Sequence, residues 1–245
     1  MITSIHNDKV KQWNKLRKKK SRVETHAFLV EGFHLIEEAC ASDWELAELI
    51  IQDGITVPDV AKGYPYSLVS SAVMNHISST KTPQGIAAVV KMKEHEAGIF
   101  EKLLLVDSLQ DPGNLGTMIR TADAAGFDAV ILGNNTVDVY NEKVIRSTQG
   151  SIFHMPIFQA DLMTKIPDLQ EEGFTVWASA LSKATVYTEL TPSNKIALIV
   201  GNEGAGISED VLQLADFRVT IPIYGKAESL NASIAAGIFM YYLQG

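Results

Sequence analysis

The chain has 245 residues, with 21 Lys+Arg against 29 Asp+Glu and a formal net charge of −8. At 46% hydrophobic and 20% charged, a chain of this length carries a real core, which excludes disordered and collagen-like classes. The single cysteine, Cys40, excludes an intrachain disulfide and a cysteine-rich zinc site. The six histidines show no HxxxH or HxH spacing with acid partners, so no metal site is expected.

The charge is unevenly spread. Residues 1–23 hold Lys9, Lys11, Lys15, Arg17, Lys18, Lys19, Lys20 and Arg22 against one acid, Asp8, a net +7. The remainder, 13 cations against 28 acids, carries −15. The total of −8 argues against a phosphate-bearing partner, but a binding face is local and a net charge is a sum. Val10, Trp13 and Leu16 recur at helical spacing and form one apolar stripe. The basic residues then cover the other faces, either as a solvated helix that docks by its stripe or as a phosphate-contacting arm. In the second case Lys15, Lys18, Lys19, Lys20 and Arg22 are the contacts. This N-terminus has no apolar h-region, and the most apolar stretch, 234–243, is about half the ~20 residues a bilayer span needs. A soluble, reducing, cytoplasmic setting is expected.

The first ~95 residues alternate between short strands and helices. Strands are expected at 28–30, 45–51 and 85–91, with helices at 32–41 and 70–77, the latter opened by a serine cap. The polar stretch 92–98 (MKEHEAG) is the best linker, dividing the chain into 1–95 and 99–245. The second part begins with KLLLV at 102–106, the continuous apolar run of a strand covered on both faces. A helix over about 115–125, ending at Gly126, follows, then strands at 129–132, 174–178 and 196–200 and a last helix over roughly 232–243. Strands alternating with helices imply an α/β fold with a parallel sheet.

Three loops carry the chemistry, each just after an apparent strand, where open α/β sheets bind ligands. The first is Asp111 to Arg120, with Asn114 at a candidate N-cap. Taken alone, Arg120 has a bland reading as a surface partner of Asp123. The second is Gly201-Asn202-Glu203-Gly204-Ala205-Gly206, whose glycines allow close backbone approach and leave N–H groups free for a ligand. It is too late in the chain for the dinucleotide fingerprint, which argues against a nicotinamide oxidoreductase. The third is Ile221-Pro222-Ile223-Tyr224-Gly225, leading to Ser229-Leu230-Asn231-Ala232-Ser233, where Ser229 or Asn231 caps the last helix.

In this order, the three loops resemble the motifs of the SpoU/TrmH family of RNA 2′-O-ribose methyltransferases, part of the knotted SPOUT superfamily. The matching residues are N-L-G-T-M-I-R-T-A-D-A-A-G from Asn114, I-V-G-N-E-G-A-G from Ile199, and Ile221-Pro222-Ile223 with Ser229-Leu230-Asn231-Ala232-Ser233. The N-terminal part, around Phe28-Leu29-Val30-Glu31-Gly32, resembles the family's small ribosomal-protein-like RNA-binding domain.

The resemblance implies a deep C-terminal trefoil knot that holds S-adenosyl-L-methionine. Gly201, Ile221 and Leu230 match the cofactor-contacting positions, and Ala180 and Leu181 match loosely. Asn114, Arg120, Glu203, Ser229 and Asn231 match positions used for catalysis and substrate handling, with Arg120 the activator of the ribose hydroxyl and Glu203 orienting Arg120 or a substrate amine. It also implies a homodimer packed through the knotted domain and an RNA substrate, 23S rRNA ahead of tRNA. A ribosome-assembly factor that keeps the fold without turnover would be marked by loss of Arg120, Glu203 or Asn231, and all three are present.

Overall fold

The stripe of Val10, Trp13 and Leu16 is buried along the first helix, α1 (Asp8–Lys15), which the Asn7 side chain caps at Lys9 N. The basic stretch does not continue as one helix: Lys18 takes extended backbone, and a second helix, α2 (Lys19–Thr25), starts after it. The computed structural model describes all of Met1–Gly245 and divides into two units. One is Met1–Glu94 with Asp138–His154, and the other is His95–Val137 with Met155–Gly245.

In the first unit α2 is followed by β1 (Ala27–Glu31), α3 (Phe33–Ala41), β2 (Leu46–Gln52), β3 (Tyr66–Val69), α4 (Ser71–Ile77) and β4 (Ile86–Lys91). The sheet order is β1-β4-β2-β3, with β4 antiparallel to both neighbours and β2 parallel to β3. The expected serine cap is present, Ser70 Oγ accepting from Val73 N. Val10 and Trp13 pack with Ile50, Val69, Val73, Met74, Ile77 and Ala87, so the apolar stripe of α1 closes this core. The four-residue β3 escaped the sequence reading.

The second unit begins with β5 (Lys102–Val106), α5 (Pro112–Ala124) and β6 (Ala129–Gly133). Residue Gly126, just past α5, takes the left-handed backbone (φ +68°) expected of a helix-ending glycine. The next helix, α6 (Glu142–Thr148), belongs to the first unit. Then follow β7 (Ile157–Ala160), α7 (Leu162–Glu171), β8 (Thr175–Ser179), β9 (Thr185–Val186), β10 (Ile196–Val200), α8 (Glu209–Leu214), β11 (Phe217–Thr220) and α9 (Ala232–Tyr242).

All pairings in this seven-stranded sheet, β7-β6-β5-β10-β8-β11-β9, are parallel. Leu103, Leu105, Ala197, Ile199, Val176 and Ala178 face one core cluster with Leu162, Ile166 and Val211. The alternate residues Leu104, Leu198 and Trp177 are buried too, on the side where Trp177 meets Tyr242 of α9. Burial on both faces is why these strands read as unbroken apolar runs. Helix α7 was not expected, because Pro167 stands inside it and proline argues against a helix interior.

Residues 138–154 lie between β6 and β7 in sequence, yet they pack within the first unit. Phe28 packs against Tyr140 with ring centroids 4.7 Å apart and the rings tilted by 40°, and Trp44 meets Phe153 edge-on at 5.5 Å. Arg22 corrects one expectation. It is buried, donates to Leu16 O at 2.8 Å and pairs with Asp138, so it holds α1 to this segment instead of facing RNA. Lys15, Lys18, Lys19 and Lys20 are exposed. No helix is long and apolar enough to cross a membrane.

Candidate functional site

Parallel strands end on one edge of their sheet. Because β5, β10, β8 and β11 are consecutive in the sheet, the segments that follow them, 107–111, 201–206, 180–183 and 221–231, adjoin one another. Helix α5 starts at Pro112, and its cap is Asp111, which accepts from Asn114 N at 2.8 Å. Asn114 is therefore not the cap expected from the sequence. It sits in the first turn, with its side chain free for longer-range bonds.

Those bonds form a directed chain. Glu203, on the turn after β10, accepts from Asp111 N (2.9 Å) and Asn114 Nδ2 (3.1 Å) on Oε1 and from Gln110 N (3.3 Å) on Oε2. Burial pushes the Glu203 carboxyl pKa up. Bonds from its own N–H, from Asn114, Asp111 and Gln110 outweigh that and hold it below the usual carboxylate range. An ionised carboxylate only accepts, so Asn114 must turn its amide nitrogen to it. Asn114 Oδ1 is then left to accept from Asn231 Nδ2 at 3.0 Å. Asn231 Oδ1 in turn caps α9, taking Ser233 N (2.9 Å), Ile234 N (3.3 Å) and Ser233 Oγ (2.6 Å).

The glycine-rich turn is closed on itself. Asn202 and Gly206 exchange backbone bonds of 2.9 and 3.0 Å, and Asn202 Oδ1 takes Gly204 N and Ala205 N. The N–H groups of Gly204 and Gly206, expected to be free for a ligand, are thus satisfied within the turn. A Cβ on Gly201 would lie 2.3 Å from Gly206 C and Ile207 N, so only glycine fits there. Asn202 Nδ2 also donates to Ser108 O (2.9 Å), and buried Asp107 accepts Ser208 N and Oγ at 2.8 Å each. Asp107 and Ser208 were missed by the sequence reading, and Asn202 and Ser233 stood in its motifs without a role. Their one signal was a polar side chain directly at a strand or helix end.

Around this frame stand large apolar side chains left open: Leu181 at 73% exposure after β8, Leu230 at 36% after β11, and half-buried Ile221. Ala180 N is bonded to Val219 O at 2.9 Å, which fixes the turn that carries Leu181. Such open faces on adjoining loops can flank a flat aromatic ring. Ser229 is exposed in the same segment as Leu230. Arg120 is exposed on α5, six residues or about 9 Å of helix axis beyond Asn114. Glu203 does not orient it, since the carboxylate is committed to Gln110, Asp111 and Asn114.

A model described as the SpoU rRNA Methylase family matches residues 101–241, and one described as the MRM3-like substrate binding domain matches residues 7–88. A Bacillus subtilis protein named 23S rRNA (guanosine(2553)-2′-O)-methyltransferase RlmP is 46% identical over 245 residues, covering 100% of this chain and 99% of its own. The AdoMet-bound rRNA methyltransferase from Sinorhizobium meliloti superposes with a TM-score of 0.87 at 31% identity, over 99% of this chain and 96% of that one. The SpoU methyltransferase AviRb from Streptomyces viridochromogenes, in complex with AdoMet, gives 0.88 at 25%, over 98% and 97%. With the three motifs gathered on one sheet edge and the likeness running the whole length, the chain belongs to the SpoU rRNA methylase family.

Proposed function

We propose that this protein transfers a methyl group from S-adenosyl-L-methionine to a ribose 2′-hydroxyl of ribosomal RNA, with 23S rRNA the substrate as in the Bacillus relative. The observation that carries the reading is the Glu203–Asn114–Asn231 chain, which locks three motif segments together on the edge where such a site belongs.

The bound cofactor supplies an electrophilic methyl on a sulfonium, a reaction that needs no metal. Gly201, Ile221 and Leu230, with Ala180 and Leu181, are the residues that would hold it. Asn231 and Ser229 hold the ribose beside them, and the rigid chain behind Asn231 fixes that position to the precision a displacement requires. Arg120 is not a literal base, because a guanidinium keeps its proton in proteins. It anchors a neighbouring phosphate and stabilises the developing alkoxide as the hydroxyl oxygen takes the methyl group, the thioether leaves and the hydroxyl proton passes to solvent water at this exposed site.

The protein acts as a homodimer packed through the second unit. The path from β10 to α9 closes a trefoil knot. This is supported by α9, which starts at the Asn114 bond and packs on α5 although β11 lies two strands from β10. The first unit carries RNA on Lys15, Lys18, Lys19 and Lys20, in the cytoplasm where ribosomal RNA is found.

The test is calorimetric binding of S-adenosyl-L-methionine, followed by mapping of 2′-O-methyl sites in total RNA with and without the protein. The guanosine of the Bacillus relative is the first site to inspect. Absence of cofactor binding overturns the reading. Arg120→Ala is expected to abolish turnover while leaving cofactor affinity within about twofold, and near-normal turnover in that variant overturns the role given to Arg120.

A further inference from the structure

The two units differ in charge. The first holds fourteen cations against thirteen acids, and the second seven cations against sixteen acids, a net −9. A unit that must bring a polyanion to its active edge therefore has few cations to spend on it. Four of the seven are engaged elsewhere. Lys102 is bonded to Gln244, Lys165 to Glu172, and Arg218 to Glu209. Lys195 is bonded to the Glu172 carbonyl and lies over the Phe174 ring. The other three, Arg120, Lys183 and Lys226, are all exposed, and all stand in segments that follow β5, β8 and β11 at the active edge.

Lys226 has a conspicuous neighbour. Tyr224 is 95% exposed, the most open tyrosine side chain on the unit, and Gly225 between them has no atom near the place a Cβ would take. The run 224–231 is exposed throughout and ends at Asn231, whose side chain is fixed by Asn114. A solvated aromatic ring beside a free ammonium, on a segment anchored at the ribose-holding residue, has the chemistry of a single-stranded RNA contact. The ring offers a π-face to a base and the cation meets a phosphate.

We propose that Tyr224 and Lys226 form an RNA-contacting tip, in which the Tyr224 ring stacks on a nucleobase next to the methylated ribose and Lys226 pairs with a flanking phosphate. This rests on the methyltransferase reading above. Stacking reads a base by its flat face, so the tip fixes the approach of a splayed nucleotide and leaves sequence choice to the contacts around it. The alternative occupant of an exposed aromatic, a second copy of this chain, is an outcome that the mass measurement below distinguishes.

The test uses the full chain and in-vitro-transcribed 23S rRNA with Tyr224→Phe, Tyr224→Leu and Lys226→Ala. RNA affinity is measured by filter binding across a salt series, cofactor affinity by calorimetry, and mass by light scattering. Tyr224→Phe is expected to bind RNA like the parent, and Tyr224→Leu on the order of tenfold more weakly, with cofactor affinity and mass unchanged. Lys226→Ala is expected to lower the slope of log affinity against log salt by about one. Parent-like RNA affinity in Tyr224→Leu overturns the proposal, as does a shift in mass or in cofactor affinity, since the ring would then belong to a subunit contact or to the cofactor wall. A parent protein that binds no cofactor fails the methyltransferase reading itself, whereas an active parent with an indifferent Tyr224→Leu fails only the tip.

Discussion

Asn114 Nδ2 donates to Glu203 Oε1 across 3.1 Å, and the direction of this one bond sets the direction of every bond beyond it. A neutral acceptor at 203 would let the Asn114 amide turn round, presenting its nitrogen to the nitrogen of Asn231. Glu203→Gln replaces one accepting oxygen with a donor that faces backbone N–H groups or Asn114 Nδ2. The expected outcome is a loss of kcat on the order of 10²-fold, with cofactor affinity much less changed. The pH dependence follows from the lowered folded pKa. The bonds are fully present above the ordinary glutamate value and disappear only as pH falls through the lower folded value, so the parent keeps its tie into mild acid. A folded variant with parental kcat would remove Glu203 from the positioning of the site.

Much of this site was legible in the sequence because parallel strands announce themselves. KLLLV and IALIV are buried on both faces, so no polar alternation interrupts them, and the loops at their ends could be singled out by their glycines, Asn and Arg. What the residues could not display was pairing across 89 and 117 positions, which ties Asn114 to Glu203 and to Asn231. Arg22 failed for the same reason. Within a run of lysines it reads as one more solvated cation, and its burial depends on Asp138, which lies 116 residues away. The short strands β3, β7 and β11 have four residues each, too few for an alternation to be recognised.

Gly201 is the position where the smallest change should do the most damage. A methyl group there meets backbone atoms of Gly206 and Ile207 at 2.3–2.4 Å, and backbone cannot step aside as a flexible side chain can. Gly201→Ala must open the turn that Asn202 holds shut and move Glu203 with it. Cofactor binding is expected to fall below detection by calorimetry, and thermal stability to drop by an amount typical of forced overpacking, about 1–3 kcal/mol. Parent-like cofactor affinity in the variant would show that the turn has room the structure does not display.

Arg22 and its lysine neighbours should separate cleanly. Truncating one member of a buried ion pair leaves the other charge stranded, at a cost of about 3–5 kcal/mol. Arg22→Ala is therefore expected to lower Tm by on the order of 10 °C, and Arg22→Met with Asp138→Leu to recover part of it. Neither should alter the salt dependence of RNA binding at temperatures where the protein is folded. Replacing Lys18, Lys19 and Lys20 with Gln should do the reverse, sparing Tm and lowering the slope of log affinity against log salt by up to about three. An unchanged slope would return these lysines to a solvated helix face.

Tyr140 offers a titration that reports on the packing of 138–154 against β1. Its ring packs against Phe28, and burial, with the nearby Asp138 charge second, pushes its phenol up to about 12 from 10. A raised acid favours the neutral form in the folded protein, so the stabilisation is whole below pH 10. It is lost as pH climbs from 10 to 12, by about 2–3 kcal/mol if the full shift is realised. Tyr140→Phe cannot ionise and keeps the ring contact, so it should lack this component while sharing every other alkaline effect. Urea midpoints measured for both proteins at pH 9, 10, 11 and 12 isolate the difference. Parallel curves over that range would mean that the phenol meets solvent and that the segment is less tightly held than its contacts with Phe28 and Arg22 indicate.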